Sequence, residues 1–155
     1  MEIKKYLKEL GIKFKEFNHP AVFTCEEADK YNKEIKGIHS KNLFIKDRKS
    51  KIFYLLIMPA EKKLYMKELE TILKDKVKFA NEKNLKNILN LTAGAVSPFG
   101  LINDKSNIVK IIIDKEIWNS DFVSFHPNIN TETLELIKED FHKYIKSLKN
   151  ELIIF

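Results

Sequence analysis

Lys41 lies in the run Ser40-Lys41-Asn42-Leu43-Phe44-Ile45-Lys46, just before apolar side chains able to anchor its backbone as a strand. An ammonium on such a base is a compact cation with three donors, suited to a phosphate or an electron-rich ester. In so lysine-rich a chain, a solvated strand-edge lysine is the competing reading. A second feature is Leu91-Thr92-Ala93-Gly94-Ala95-Val96-Ser97-Pro98-Phe99-Gly100-Leu101, an apolar run with two glycines, a proline and no charged side chain. Gly94 and Gly100 can take backbone angles closed to other residues, and Pro98 fixes its φ while donating no N–H. The run suits neither ordinary helix nor central strand, yet it is too apolar for a solvated loop. It predicts a stiff loop lining a small pocket, whose backbone groups could contact a ligand; a tight turn between core elements is the alternative. The third feature is Phe125-His126-Pro127-Asn128. His126 there could be a general base, a hydrogen-bond donor to substrate or a structural cap.

Other reactive side chains carry less. Cys25 falls in the first turn of an expected helix, a place that favours the thiolate, but no histidine-plus-acid arrangement is legible around it. His19, before Pro20, suits a turn-stabilising role, while His39 and His142 read as surface residues. The four histidines and one cysteine form no His-x-x-x-His or Cys-x-x-Cys pair, so no metal is expected. There is no Gly-x-x-x-x-Gly-Lys-Ser phosphate loop either.

Taken in this order, the three segments resemble the YbaK-like aminoacyl-tRNA deacylases, free-standing relatives of the insertion domain of bacterial prolyl-tRNA synthetase. The likeness is greatest to the branch called PrdX or ProXp-ala. It runs from His19-Pro20-Ala21-Val22-Phe23-Thr24 to the last helix; Gly-x-x-x-Pro alone would be weak, but its order with Lys-Asn-Leu-Phe and Phe-His-Pro-Asn is specific. The resemblance implies a mixed α/β fold, a closed or nearly closed and largely antiparallel sheet or barrel with helices packed outside. It implies a trans-editing enzyme that hydrolyses the ester joining a wrong amino acid to tRNA, with alanine on proline tRNA as the substrate. No metal and no organic cofactor is implied. The expected partners are the acceptor end of a mischarged tRNA and, transiently, prolyl-tRNA synthetase.

By the same resemblance Lys41 contacts the terminal adenosine and its phosphate rather than attacking the ester, and Asn42 beside it binds substrate. Gly94 and Pro98 occupy the Gly-x-x-x-Pro positions, so the loop through Ala95, Val96 and Ser97 holds the aminoacyl group and restricts its size. Ala93 stands where relatives often carry proline, which predicts a looser loop. His126 becomes a pocket residue, and Thr24, chiefly a helix cap, also edges the pocket. Alternatives are a deacylase for serine or cysteine, a non-catalytic binder of tRNA 3′ ends, and a hydrolase of small esters.

The elements that must position these residues follow from periodicity. Ile3, Tyr6, Leu7 and Leu10 are spaced as a helix stopped by Gly11, and 12–17 reads as a short strand. Thr24-Cys25-Glu26-Glu27 has the form of a capping box and predicts a helix over 25–33. Strands at 43–45 and 52–58 flank a polar turn and form a hairpin. Helices are expected over 67–73, 81–89 and 139–148, and strands at 77–79, 109–113 and 122–125; 133–137 is open between strand and helix, the resemblance favouring strand. With 155 residues and 44% hydrophobic content, the chain suits one domain, 1–155. No segment approaches the about 20 apolar residues of a membrane span. A lone cysteine allows no internal disulfide, so a reducing cytoplasm is the expected compartment. The net charge of +6 suits a polyanionic partner such as tRNA, although heavy use of lysine over arginine also fits an AT-rich genome.

Overall fold

A computed structural model describes residues 2–21 and 35–155. Helix α1 (Ile3–Glu9) buries Ile3 and Leu7, which lie one turn apart, and ends before Gly11 at φ +73, a left-handed angle that glycine adopts without a Cβ penalty. Strand β1 (Lys15–Asn18) follows. It begins later than the expected 12–17 because Ile12 drops into the core and the Lys13 N–H turns to Asp140. The helix expected over 25–33, with its capping box, lies outside the described residues.

Strands β2 (Ser40–Asp47) and β3 (Phe53–Pro59) form the expected antiparallel hairpin, with Ser40 opposite Pro59 and Lys46 opposite Phe53. Asp47 locks its turn: Oδ1 accepts the N–H groups of Lys51 (2.7 Å) and Ile52 (2.9 Å). Then come α2 (Met66–Leu73), β4 (Val77–Phe79) and α3 (Glu82–Leu89), whose start is capped reciprocally by Asn81 and Asn84. Two 3-10 turns, Ala93–Ala95 and Pro98–Asn103, lead to β5 (Val109–Ile113). The chain continues through α4 (Lys115–Asn119), β6 (Phe122–Phe125), β7 (Glu132–Ile137), α5 (Lys138–Ser147) and β8 (Leu152–Ile154). Thus 133–137 is strand.

The fold is mixed α/β with mostly antiparallel pairing, but the strands make two sheets rather than one closed sheet. Five are ordered β4-β2-β3-β5-β8 and three are ordered β1-β7-β6. Among the described residues they meet through one parallel bridge, Ile38 to Val123, too little pairing to close a barrel. Alternation along β3 and β5 feeds two cores. Phe53, Leu55, Ile57, Val109, Ile111 and Ile113 pack with α1, α3, α5 and the small sheet. Tyr54, Leu56, Met58 and Ile112 face the other way, under Leu69 of α2. Both faces of β3 are therefore covered, which explains its unbroken apolar run. None of the described helices is long and apolar enough to cross a membrane.

Candidate functional site

The apolar glycine-proline run is built as two tight turns packed over an aromatic floor. Ser97 is fully buried, and its hydroxyl accepts the Phe99 N–H at 3.1 Å, while Pro98 occupies the first turn, where its missing N–H costs nothing. The Phe99 ring meets Phe125 and Tyr144 edge-on, with centroids 5.8 and 5.3 Å away. Tyr144 donates its hydroxyl to the Pro98 carbonyl at 2.7 Å, and complete burial pushes that phenol well above its ordinary pKa, so it remains a donor. At Gly100 a Cβ would lie 2.5 Å from the Leu91 side chain, so glycine admits a close approach. The tip differs: Thr92, Ala93 and Gly94 are exposed, Ala95 is buried and Val96 half-buried. Among the described residues the positive-φ glycine is Gly11, so Gly94 is not needed for a left-handed angle. A stiff base with an open tip presents backbone groups to solvent.

The Phe-His-Pro-Asn segment sits on that base from the other side. Asn128 takes a left-handed φ of 65° and donates a long hydrogen bond (3.4 Å) to the Phe99 carbonyl. Its Oδ1 is buried without a partner. His126 lies opposite the core-facing Phe125, and its Nδ1 is 2.8 Å from the Glu132 carbonyl. A carbonyl only accepts, so Nδ1 carries the proton and neutral His126 leaves its Nε2 lone pair uncommitted among the described residues. Burial pushes this imidazole below its ordinary pKa; the Glu132 carbonyl opposes that shift and nearby His19 adds to it. His126 is thus neutral near pH 7 and chemically able to accept a proton. Its ring centroid is 5.8 Å from that of His19, which is bonded to Thr133 Oγ1 (2.8 Å) and the Pro20 carbonyl (2.9 Å), a turn-stabilising arrangement.

Lys41 is the second residue of β2, inside the strand rather than before it, and half-buried. It pairs with Met58, which belongs to the α2-side core, whereas Asn42 pairs with Ile57 of the inner core. Strand alternation therefore sends these neighbours to opposite faces. Asn42 donates to Ser40 Oγ at 3.4 Å and leaves its Oδ1 buried and unpartnered. Orphan amide oxygens on Asn42 and Asn128 are acceptors available to a donor that the described residues do not supply.

The approach to β2 rests on residues that composition did not reveal. At Gly37 a Cβ would fall 2.8 Å from the Val123 carbonyl carbon, and the Gly37 N–H donates to buried Glu135 at 2.8 Å. Glu135 alternates with core-facing Leu134 and Leu136, and the polar face it shares with Thr133 is buried as well. A charged residue within an apolar strand was the available signal.

The structure joins the loop to Asn128 and sets His126 beside His19; no described hydrogen bond joins Lys41 or Asn42 to either group. Thr24 and Cys25 lie outside the described residues. His142, expected at the surface, is half-buried, with its ring stacked on Trp118 at 3.6 Å and bonded to the Trp118 carbonyl. An amphipathic helix presents such a residue to solvent only if no neighbour covers it, and α4 does. Among the described residues no group of three or more His, Cys, Asp and Glu is placed to hold a metal ion.

A family model described as the aminoacyl-tRNA editing domain matches residues 19–144. The chain is 38% identical over 145 residues to the prolyl-tRNA editing protein ProX of Acetoanaerobium sticklandii, covering 93% of this chain and 88% of that protein. It is 32% identical over 158 residues to the mouse prolyl-tRNA synthetase associated domain-containing protein 1, covering 99% and 93%. Among solved structures, a candidate trans-editing enzyme for prolyl-tRNA synthetase superposes with a TM-score of 0.76 at 14% identity, covering 99% and 93%, a likeness of fold.

Proposed function

Because the chain belongs to the aminoacyl-tRNA editing domain family, we propose that it is a trans-acting deacylase that clears mischarged tRNA, with alanine on proline tRNA as its substrate. The observation that carries this reading is the match over residues 19–144, which includes Lys41, the Gly94-to-Pro98 loop and His126. The ProX relative supports the prolyl side of it. Such an activity answers a physical limit: a synthetase pocket rejects a substrate smaller by one methylene by only about 1–3 kcal/mol. A second pocket can apply the opposite sieve, admitting a methyl side chain and refusing a ring.

In the proposed reaction a water oxygen attacks the ester carbonyl carbon. The tetrahedral oxyanion collapses, the bond to the ribose oxygen breaks, and that oxygen leaves with a proton, giving free amino acid and an uncharged 3′ end. Lys41 holds the terminal nucleotide through its phosphate, and Asn42, on the other face of β2, offers its unpartnered amide oxygen to the substrate. Backbone N–H groups at the exposed tip around Gly94 orient the carbonyl and meet the growing negative charge. Ala95, Val96, Ser97 and Pro98 form the wall that limits side-chain size, and Thr24 edges the pocket. The ribose hydroxyl beside the ester positions the water, and His126 offers a neutral acceptor. The ester is already activated, so orientation supplies much of the rate and the scheme needs no covalent nucleophile, metal or organic cofactor. A transient contact with prolyl-tRNA synthetase in the cytoplasm completes the proposal.

The test is a deacylation time course on one proline tRNA carrying alanine, serine, cysteine or proline. Fast loss of alanine with proline retained is expected. Preferential loss of serine or cysteine would reassign the substrate, equal loss of proline would sink the size sieve, and binding without accelerated loss would leave only a tRNA-end binder.

A further inference from the structure

Away from that site, an open depression of about 1270 Å³ lies where the β2–β3 turn meets α2, lined by seven cationic side chains and three carboxylates. Each of the three carboxylates accepts a hydrogen bond from within the protein. Asp47 accepts the Lys51 and Ile52 N–H groups, and those backbone donors hold its carboxyl below the usual range. Glu70 accepts the Val77 N–H at 3.0 Å. Asp75 accepts the Tyr54 hydroxyl at 3.2 Å; burial first, and the Asp75 charge second, push that phenol up to about 12, so it stays a donor. Arg48, Lys51, Lys67, Lys74 and Lys76 are exposed, and none takes part in an ion pair among the described residues. Lys110 is tied to Glu151 at 3.3 Å.

The surface therefore gathers exposed positive charge around a few apolar residues, Ile52, Tyr54 and Leu73. Tyr65, Phe79 and Ile108, all exposed, lie outside the lining, so a protein partner would find little to bury. Its place along β2 is informative. Strands rise about 3.3 Å per residue, so Arg48 lies roughly 23 Å from Lys41 along the strand. By alternation Lys41 leaves the sheet on the same α2 side. That distance is too great for a nucleotide held at Lys41, and it suits the sugar-phosphate backbone of the same molecule farther from its acylated end.

We propose that this depression is a second contact for tRNA, gripping phosphates of the helical stem while the editing site holds the 3′ end. The proposal rests on the tRNA-deacylase reading. Lysine and arginine bind phosphates through charge with release of counterions, so the contact reads shape and charge but not sequence.

The test compares wild type with a variant carrying Arg48→Gln, Lys67→Gln, Lys74→Gln and Lys76→Gln, its folding checked by circular dichroism. Affinity for uncharged proline tRNA is measured across a salt series, and deacylation is measured on full-length alanyl-tRNA and on a short alanylated oligonucleotide of the 3′ end. Losing four phosphate contacts on a duplex stem should make the slope of log affinity against log salt shallower by about 3.6 and weaken low-salt binding at least about tenfold. The KM for tRNA should rise, and hydrolysis of the oligonucleotide should stay near wild type. Unchanged affinity and slope in a folded variant would overturn the proposal. So would intact tRNA binding with loss of synthetase capture, which would assign the surface to a protein. If wild type hydrolyses neither substrate, the deacylase reading fails, while the salt series still decides whether nucleic acid binds here.

Discussion

Lys41 and His126 bring different chemistry to the proposed reaction. The Lys41 side chain leaves a strand fixed by the β2–β3 hairpin, so its base is rigid while its ammonium makes no ion pair among the described residues. Lys41→Ala should abolish most deacylation and leave circular dichroism and melting near wild type; near-normal turnover would remove Lys41 from the mechanism. His126 should register in pH profiles. Its folded-state pKa lies below the ordinary value of about 6.5, chiefly through burial. Between the two values the unfolded chain binds the proton that the folded chain refuses, so the neutral ring's contribution to stability is complete above about 6.5 and is lost as pH falls toward the folded pKa. Deacylation should fall in acid with an inflection below about 6.5, and His126→Gln should remove that inflection and flatten the decline of Tm as pH falls below about 6.5. An unaltered pH profile in the variant would assign His126 a purely structural place.

At the scale of elements, the approach to β2 sets where Lys41 begins. Residues Gly37 and Ile38 run against β6, with the Ile38 N–H bonded to the Phe122 carbonyl at 3.3 Å and Gly37 held by Glu135. The atoms nearest an added Cβ at Gly37 are backbone atoms of Val123 and Ser124, which cannot rotate away as a side-chain tip can. Gly37→Ala should therefore destabilise the protein by about 1–3 kcal/mol through overpacking. Denaturant unfolding measures this; a midpoint equal to wild type would show that the two sheets tolerate separation at this bridge.

At the scale of the molecule, the larger core draws on side chains from Ile3 in α1 to Ile154 in β8, so the two sheets and their helices share one interior. We propose on this ground that 1–155 acts as one editing domain. The opposite face of the large sheet carries its own smaller core beneath α2, and the basic depression lies on that side. Lys41 leaves the sheet on that same side, roughly 23 Å away along β2, so the chain can hold an acylated end and a duplex without the two contacts competing for the same side chains.

The amino-acid sequence by itself determined most of the regular elements, because burial on one face leaves a period that can be read locally. Leu85 and Leu89 in α3, and Phe141, Tyr144 and Ile145 in α5, repeat at helical spacing, and β5 is a compact β-branched run. It also singled out Lys41, the Gly94-to-Pro98 run and His126, because unusual residue types stand out without coordinates. Three things belong to tertiary structure alone. Strand β8 and helix α4 have three and five residues, too few to show a period, and β8 exists through its parallel pairing with β5. The division into two sheets follows from which edges meet, and no local pattern encodes that pairing. The states of the site residues depend on distant partners: the Glu132 carbonyl that fixes the His126 proton, the Trp118 ring that covers His142, and the internal bonds of Asp47, Glu70 and Asp75 that leave their neighbouring cations exposed. Side-chain identity is local, whereas burial and hydrogen-bond satisfaction arise only when remote segments are brought into contact.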